Sequence, residues 1–253
     1  MHVRPILGEP TLVLAFEGWN DACESASGTV RFVDDVVRTV PLAEIDPDDY
    51  YDFTVHRPEV RYQAGHASEI HWPANAFRYG VTAEGLELIT GLAVEPHTRW
   101  RSYCEAVVEL AVDMGVQRCL LVGAYLADVV YSQPVVVSGF ATHPELLERF
   151  QIEPSSYEGP TGIVGVVFEA LRQEGIEVLA IWSGLPHYIS ATPNPRGALA
   201  LLRKVSQYLE TPFELGKLKD DALRFEEEIS KVVAADDELT EYVKELKRRE
   251  FAQ

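Results

Sequence analysis

Leu12-Val13-Leu14-Ala15-Phe16-Glu17-Gly18-Trp19-Asn20-Asp21-Ala22 decides the fold. An apolar run of strand length stops at a glycine, turns through polar residues and opens a helix. In open α/β sheets this strand-to-helix turn is where ligands and partners meet the fold. Asp21-x-x-Glu24 reads as a capping box, so the following helix is expected to begin there and to run to about Arg38.

Working outward, the same alternation returns. Residues 39–52 are polar and punctuated by proline, and read as loop. Short β-rich runs follow at Thr54-Val55, Glu69-Ile70-His71-Trp72, Phe77-Arg78-Tyr79 and Leu86-Glu87-Leu88-Ile89. From Arg99 to about Gly115, Trp100, Cys104, Val107, Val108, Ala111 and Met114 share one helical face. Cys119 to Gly123 and Val178 to Trp182 are continuous apolar runs suited to buried parallel strands, with Val135-Val136-Val137 as another strand. Short and long helices are expected over His143–Phe150 and Thr161–Glu174. Asn194-Pro195 supplies an N-cap and a first-turn proline for a further helix carrying Ala198, Leu201, Leu202, Val205 and Leu209. Strands alternating with helices predict a three-layer α/β/α domain, and the β-rich middle adds mixed pairing to a twisted sheet.

Beyond Thr211-Pro212 the pattern narrows. Leu218, Ala222, Phe225, Ile229 and Val232 form a seam rather than a broad face, and a second helix starts near Asp236-Asp237. The organisation expected is an α/β domain over residues 1–212 and a C-terminal helical arm over 213–253. Either the arm's own subunit or a second molecule could cover so thin a seam.

The chain has 253 residues and a formal charge of −18, from 40 acidic and 22 basic residues. That balance excludes nucleic acid, whose binding requires cationic surface, and an anionic membrane face. No apolar run approaches the 18 or so residues of a membrane span, and the N-terminus lacks a secretory pattern. Three cysteines without a Cys-x-x-Cys pair fit a reducing cytoplasm.

Residues that could carry chemistry gather where strands end. Strands ending at Glu17, Gly123 and Ser183 are expected to bring Trp19, Asn20, Tyr125, Asp128 and His187 to one rim, with Arg99 nearby. Gly18, Trp19, Asn20 and Asp21 present a loop at a helix N-terminus, a place that suits an anion. Against this, Asp21 as cap already takes those amides, and Trp19 reads as a core plug. Arg99 and Arg101 at a helix start oppose the helix dipole, so Glu95 or an anionic ligand must compensate. Gly159-Pro160-Thr161-Gly162-Ile163-Val164-Gly165 lacks the lysine of a P-loop and the Gly-x-Gly-x-x-Gly spacing. Seven histidines include no His-x-x-x-His pair, and no Gly-x-Ser-x-Gly elbow occurs. No catalytic residue, metal or cofactor is assigned.

Phe16-Glu17-Gly18-Trp19-Asn20-Asp21-Ala22 resembles the opening signature of the proteasome assembly chaperone 2 (PAC2) family, in its actinobacterial branch. Tyr51-Asp52-Phe53-Thr54-Val55-His56-Arg57-Pro58, Val94-Glu95-Pro96-His97-Thr98-Arg99-Trp100-Arg101, Tyr157 to Gly165 and Leu185-Pro186-His187-Tyr188 agree with it in order. The resemblance spans roughly residues 10–245. It implies a phosphorylase/hydrolase-like fold, self-association into a homo-oligomer, and a non-catalytic role by protein–protein contact, with proteasome subunits as partners. Archaeal relatives dock on proteasome rings through a hydrophobic-Tyr-any C-terminus. This sequence closes on Phe251-Ala252-Gln253, so docking by that element is not expected. The alternative is a nucleoside- or phosphate-binding protein or enzyme of the same fold, its site built by Gly18, Arg99 and His187. A ligase of ATP-grasp type, a label some relatives carry, lacks both a glycine-rich nucleotide loop and a carboxylate metal pair here.

Overall fold

A computed structural model of the chain describes residues 5–63 and 66–250. The terminal Phe251-Ala252-Gln253 lies outside the described residues. The first strand, β1 (Thr11–Glu17), is buried almost throughout, as its uninterrupted apolar run demands. It leads through a short 3-10 turn at Ala22–Glu24 into α1 (Ser25–Val37). An edge strand, β2 (Val40–Glu44), follows where the polar, proline-marked sequence reads as loop. It qualifies as strand because Leu42 and Ala43 turn inward and it pairs antiparallel with β5 (Asn75–Val81) across a register shift at Pro41/Ala43. Proline is tolerated at such an edge.

Between these two lies a separate hairpin of β3 (Glu59–Gln63) and β4 (His66–His71), which pairs with no strand of the main sheet. The expected strand at Thr54-Val55 is instead a turn closed by Val55 and His56 amides on the Asp52 carbonyl, at 2.9 and 3.0 Å. The chain continues through β6 (Glu87–Val94), α2 (Trp100–Asp113), β7 (Arg118–Ala127), β8 (Val137–Ala141) and α3 (Glu145–Arg149). It ends with β9 (Glu153–Pro154), α4 (Ile163–Gln173), β10 (Glu177–Pro186), α5 (Pro195–Tyr208), α6 (Gly216–Ala234) and α7 (Asp237–Glu250).

The main sheet has eight strands in the order β2-β5-β6-β1-β7-β10-β8-β9. The central β6, β1, β7 and β10 run parallel; β5 and β8 flank them antiparallel. Alternate residues of β1 serve opposite layers. Leu12, Leu14 and Phe16 pack with Tyr103 and Val107 of α2 and Val167 and Leu171 of α4. Val13 and Ala15 pack with Val30 and Val33 of α1 and Leu202 and Val205 of α5. The chain is therefore a three-layer α/β/α fold with a mixed sheet.

The C-terminal helices pack on their own chain. Phe213, Leu215 and Ala222 join the α1/α5 core, and Ile229, Val233, Val243 and Leu246 close a smaller core with Val130 and Ile189. The seam rotates by one residue from the expected register at its end, so that Val233 is buried and Val232 exposed. No helix among the described residues is long and apolar enough to cross a membrane.

Candidate functional site

The parallel strands place the ends of β6, β1, β7 and β10 along one rim. After Glu17 the chain turns at Gly18, whose φ of +112° favours glycine. It then rejoins the sheet, since the Ala124 amide donates to the Asn20 carbonyl at 2.7 Å. Asn20 and Asp21 are both buried. Asp21 Oδ1 accepts from the amides of Ala26 (2.7 Å) and Ser27 (3.1 Å), so it does cap α1, but from farther upstream than a capping box allows. Cys23 and Glu24 stand in the left-handed region, φ +50° and +53°, so the helix begins at Ser25 and Glu24 makes no reciprocal cap. Burial raises the Asp21 carboxyl pKa against the pull of its amide donors. Burial likewise raises that of Glu17, opposed by the ion pair with Arg31.

Trp19 is not a core plug. It is 60% exposed, and its ring lies beside Gly162, where an added Cβ would sit 2.8 Å from both Trp19 Cε3 and Glu95 Oε1 and would collide with Asn20 Nδ2. Gly162 is thus the space into which the Trp19–Asn20 loop fits, which accounts for one glycine of the Gly159–Gly165 stretch. Glu95 Oε1 accepts from the Ile163 amide (2.8 Å), capping α4, and from Asn20 Nδ2 (3.4 Å).

The other candidates separate into two further groups. Arg99 takes a left-handed conformation (φ +54°) at the start of α2, pairs with Asp49 and lies 5.9 Å over the Tyr50 ring. Asp49, rather than Glu95 or an anion, compensates its charge at the helix start. His187 Nδ1 lies 3.1 Å from Asp128 Oδ1, and Tyr242 of α7 donates to the same Asp128 oxygen at 3.2 Å. The rings of His187, Tyr188 and Tyr242 stack edge-on in a triangle, at 5.4 to 5.6 Å. Gly18, Arg99 and His187 therefore each serve a different group of partners, and the arrangement offers no common anion cradle. Tyr125 is exposed, with its hydroxyl 3.4 Å from Ser138 Oγ.

The polar groups of this rim bond to one another, while large apolar side chains face out: Trp19, Tyr125, Leu126, Val136 and Tyr157. Glu95 and Gly162, which shape the Trp19 loop, and Tyr157, whose hydroxyl donates to the Pro160 carbonyl at 2.9 Å, were missed as site residues. The resemblance motifs containing them were the available signal. Among the described residues no cluster of three His, Cys, Asp or Glu side chains could hold a metal. A cavity of about 80 Å³ lies away from the Trp19 loop, between the end of β10 and α6, lined by Tyr131, Leu185, Ile189, Arg196 and Phe225. Arg196 there is engaged by the Gln133 carbonyl (2.6 Å) and Glu226 (3.4 Å). Ligand pockets measure roughly 300–1,000 Å³, so this one is too small for a nucleoside.

The chain matches the model of the PAC2 family over residues 15–233. No curated protein matches it. Among solved structures it is similar to a PAC2 family protein from Streptomyces avermitilis, 38% identical, with a TM-score of 0.85 over 93% of this chain and 100% of that one. A proteasome-assembly chaperone homologue from Mycobacterium tuberculosis is 37% identical, with a TM-score of 0.85 over 92% and 99% of the two chains. An archaeal proteasome activator from Pyrococcus furiosus, 16% identical, shares the fold at a TM-score of 0.72 over 91% and 96%. With more than four-fifths of its length inside the family model and two solved relatives above one-third identity, this chain belongs to the PAC2 family.

Proposed function

We infer that this protein is a non-catalytic, proteasome-related assembly chaperone of the cytoplasm that acts as a homo-oligomer through protein–protein contact. The observation that carries this reading is the chemistry of the rim. Its carboxylates and amides are spent on capping and pairing, whereas Trp19, Tyr125, Leu126 and Tyr157 stand in solvent. Exposed aromatic side chains of this kind mark binding surfaces for protein. The relation to a proteasome-assembly chaperone homologue supplies the partner class.

The test is affinity capture of the tagged protein from its native cells, with native electrophoresis of the eluate. Proteasome subunits or half-assembled particles are expected to co-elute, and to be lost in a Trp19→Ala/Tyr157→Ala variant. Normal proteasome assembly in a deletion strain, together with an eluate free of proteasome subunits, would overturn the reading. A melting-temperature increase with a nucleoside, phosphate or ATP would favour a small-molecule binder instead.

A further inference from the structure

Arg196 stands where a cation is costly for two reasons. It lies in the first turn of α5, behind the Asn194 cap and Pro195, at the positive end of the helix dipole. Its side chain is also largely out of water, at 14% exposure. Burial lowers the guanidinium pKa, and the pull of Glu226 offsets only part of that.

The partners it has leave most of its hydrogen-bonding capacity unused. A guanidinium carries five N–H donors on three nitrogens. Here Nη2 donates to the Gln133 carbonyl at 2.6 Å and lies 3.4 Å from Glu226 Oε2. Among the described residues, Nε and Nη1 meet no acceptor. The Glu226 side chain is 35% exposed, so its carboxylate stands on the solvent side of the pair and is free to swing outward.

The same arginine forms part of the wall of the 80 Å³ cavity between β10 and α6. Leu185, Ile189, Phe225 and Ile229 make that wall mostly apolar, and Arg196 and Glu226 are its charged residues. An apolar cavity of about 150 Å³ is enough for benzene. One of 80 Å³ takes a molecule of roughly three to five non-hydrogen atoms.

We propose that this cavity binds a small aliphatic monocarboxylate of acetate or propionate size. Its carboxylate accepts from the uncommitted N–H groups of Arg196, in the planar arrangement that a guanidinium favours. The short alkyl end lies against Ile189, Phe225 and Ile229. Glu226 moves into water as the ligand takes its place, so the buried cation keeps a counter-charge and gains hydrogen bonds. Phosphate and sulfate fit poorly, because the apolar wall has no donors for their remaining oxygens. The site lies away from the Trp19 loop and goes beyond the chaperone reading, which stands or falls independently of it.

The experiment is an amide NMR titration of the full chain with sodium propionate, at ionic strength held constant with sodium chloride. Saturable shifts are expected at Tyr131, Ile189 and Arg196 and not at Trp19. Propionamide has the same shape without the charge and should bind about tenfold more weakly or worse, the difference a charge-assisted hydrogen bond makes. Arg196→Gln should abolish binding, with Arg196→Met in its place if the glutamine variant does not fold. Glu226→Gln removes the competing carboxylate and should tighten binding several-fold. Equal binding of propionate and propionamide overturns the role of Arg196. Tighter binding of octanoate than of propionate overturns the size of the site. Absence of saturable shifts at these residues, in wild type and Glu226→Gln alike, makes Arg196–Glu226 a purely structural pair and overturns the proposal.

Discussion

Glu95 Oε1 accepts the backbone amide of Ile163 at 2.8 Å, so a carboxylate after β6 caps a helix that begins 68 residues later in the chain. Gly162, the residue at the N-cap position of α4, has no side chain to do so. The capping carboxylate also faces the positive end of the helix dipole. Glu95→Ala is expected to cost about 1–2 kcal/mol. For a chain of this size that lowers the melting temperature by roughly 2–8 °C, measurable by calorimetry. Glu95→Gln keeps an acceptor and should lose less than half as much.

Asp21 ties stability to pH. Burial raises its folded-state pKa above the ordinary aspartate value. Its contribution is therefore fully present at acid pH, where the unfolded chain's aspartate is protonated. It is lost as pH rises through the folded-state value. Asn in its place keeps an oxygen for the Ala26 and Ser27 amides without the cost of a buried charge. Asp21→Asn should melt at or above wild type at neutral pH, with an advantage that shrinks as pH falls below the ordinary carboxylate range. Melting curves across pH check this, and an advantage that grows on acidification would contradict it. Asp21→Ala loses the cap and should cost about 1 kcal/mol.

Two glycines in helical settings should respond in opposite directions to alanine. At Gly28, inside α1, an added Cβ meets nothing within 4 Å, so Gly28→Ala is expected to stabilise by about 0.5–1 kcal/mol through reduced chain entropy and better helix propensity. At Gly162 the methyl collides with Asn20, Glu95 and Trp19. Gly162→Ala should destabilise by about 1–3 kcal/mol and shift tryptophan fluorescence, as the Trp19 loop is displaced.

The layers of the fold were legible because β1, β7 and β10 are buried on both sides and so carry continuous apolar runs. The Asn194-Pro195 start of α5 was legible for a local reason: Asn194 Oδ1 accepts from Arg196 and Gly197 amides at 3.0 and 3.2 Å. What was lost depends on distant partners. β2 is an edge strand made by pairing with β5, and its own residues look like loop. Asp21 and Glu24 have capping-box spacing, but left-handed Cys23 and Glu24 move the helix start and leave Asp21 to cap alone. Trp19 reads as core by composition, yet it stands in solvent with its ring against Gly162, a contact made across more than 140 residues of chain. The eight rim candidates share one edge of the sheet yet divide among separate partners. Asp49 for Arg99 and Tyr242 for Asp128 lie 50 and 114 residues away.

Helix α7 should detach as a unit when its seam is broken. Val243 and Leu246 are its buried anchors against Val130, Ile189 and Val233. By contrast, the Tyr242–Asp128 contact is exposed and contributes little on its own. Leu246→Ala is expected to cost about 2–4 kcal/mol in the docking of this helix. Hydrogen exchange of residues 237–250 should accelerate while the amides of β1 and β7 stay protected. Tyr242→Phe should leave the exchange pattern within about 0.5 kcal/mol of wild type.

Trp19 gives the sharpest separation between a fold residue and a surface residue. Had it filled the core, Trp19→Ala would cost about 3–5 kcal/mol. With the residue 60% exposed, most of that burial is absent. Asn20 and Glu95 keep their bonds to each other and to Ile163 without it. Trp19→Ala is expected to change stability by about 0.5–1 kcal/mol, seen as a melting temperature within a few degrees of wild type. The same variant should lose the protein contact that the rim makes, because an aromatic anchor contributes more at an interface than in isolation. A melting-temperature drop matching several kcal/mol would return Trp19 to the core. A stable variant with undiminished partner capture would move the docking surface away from this loop.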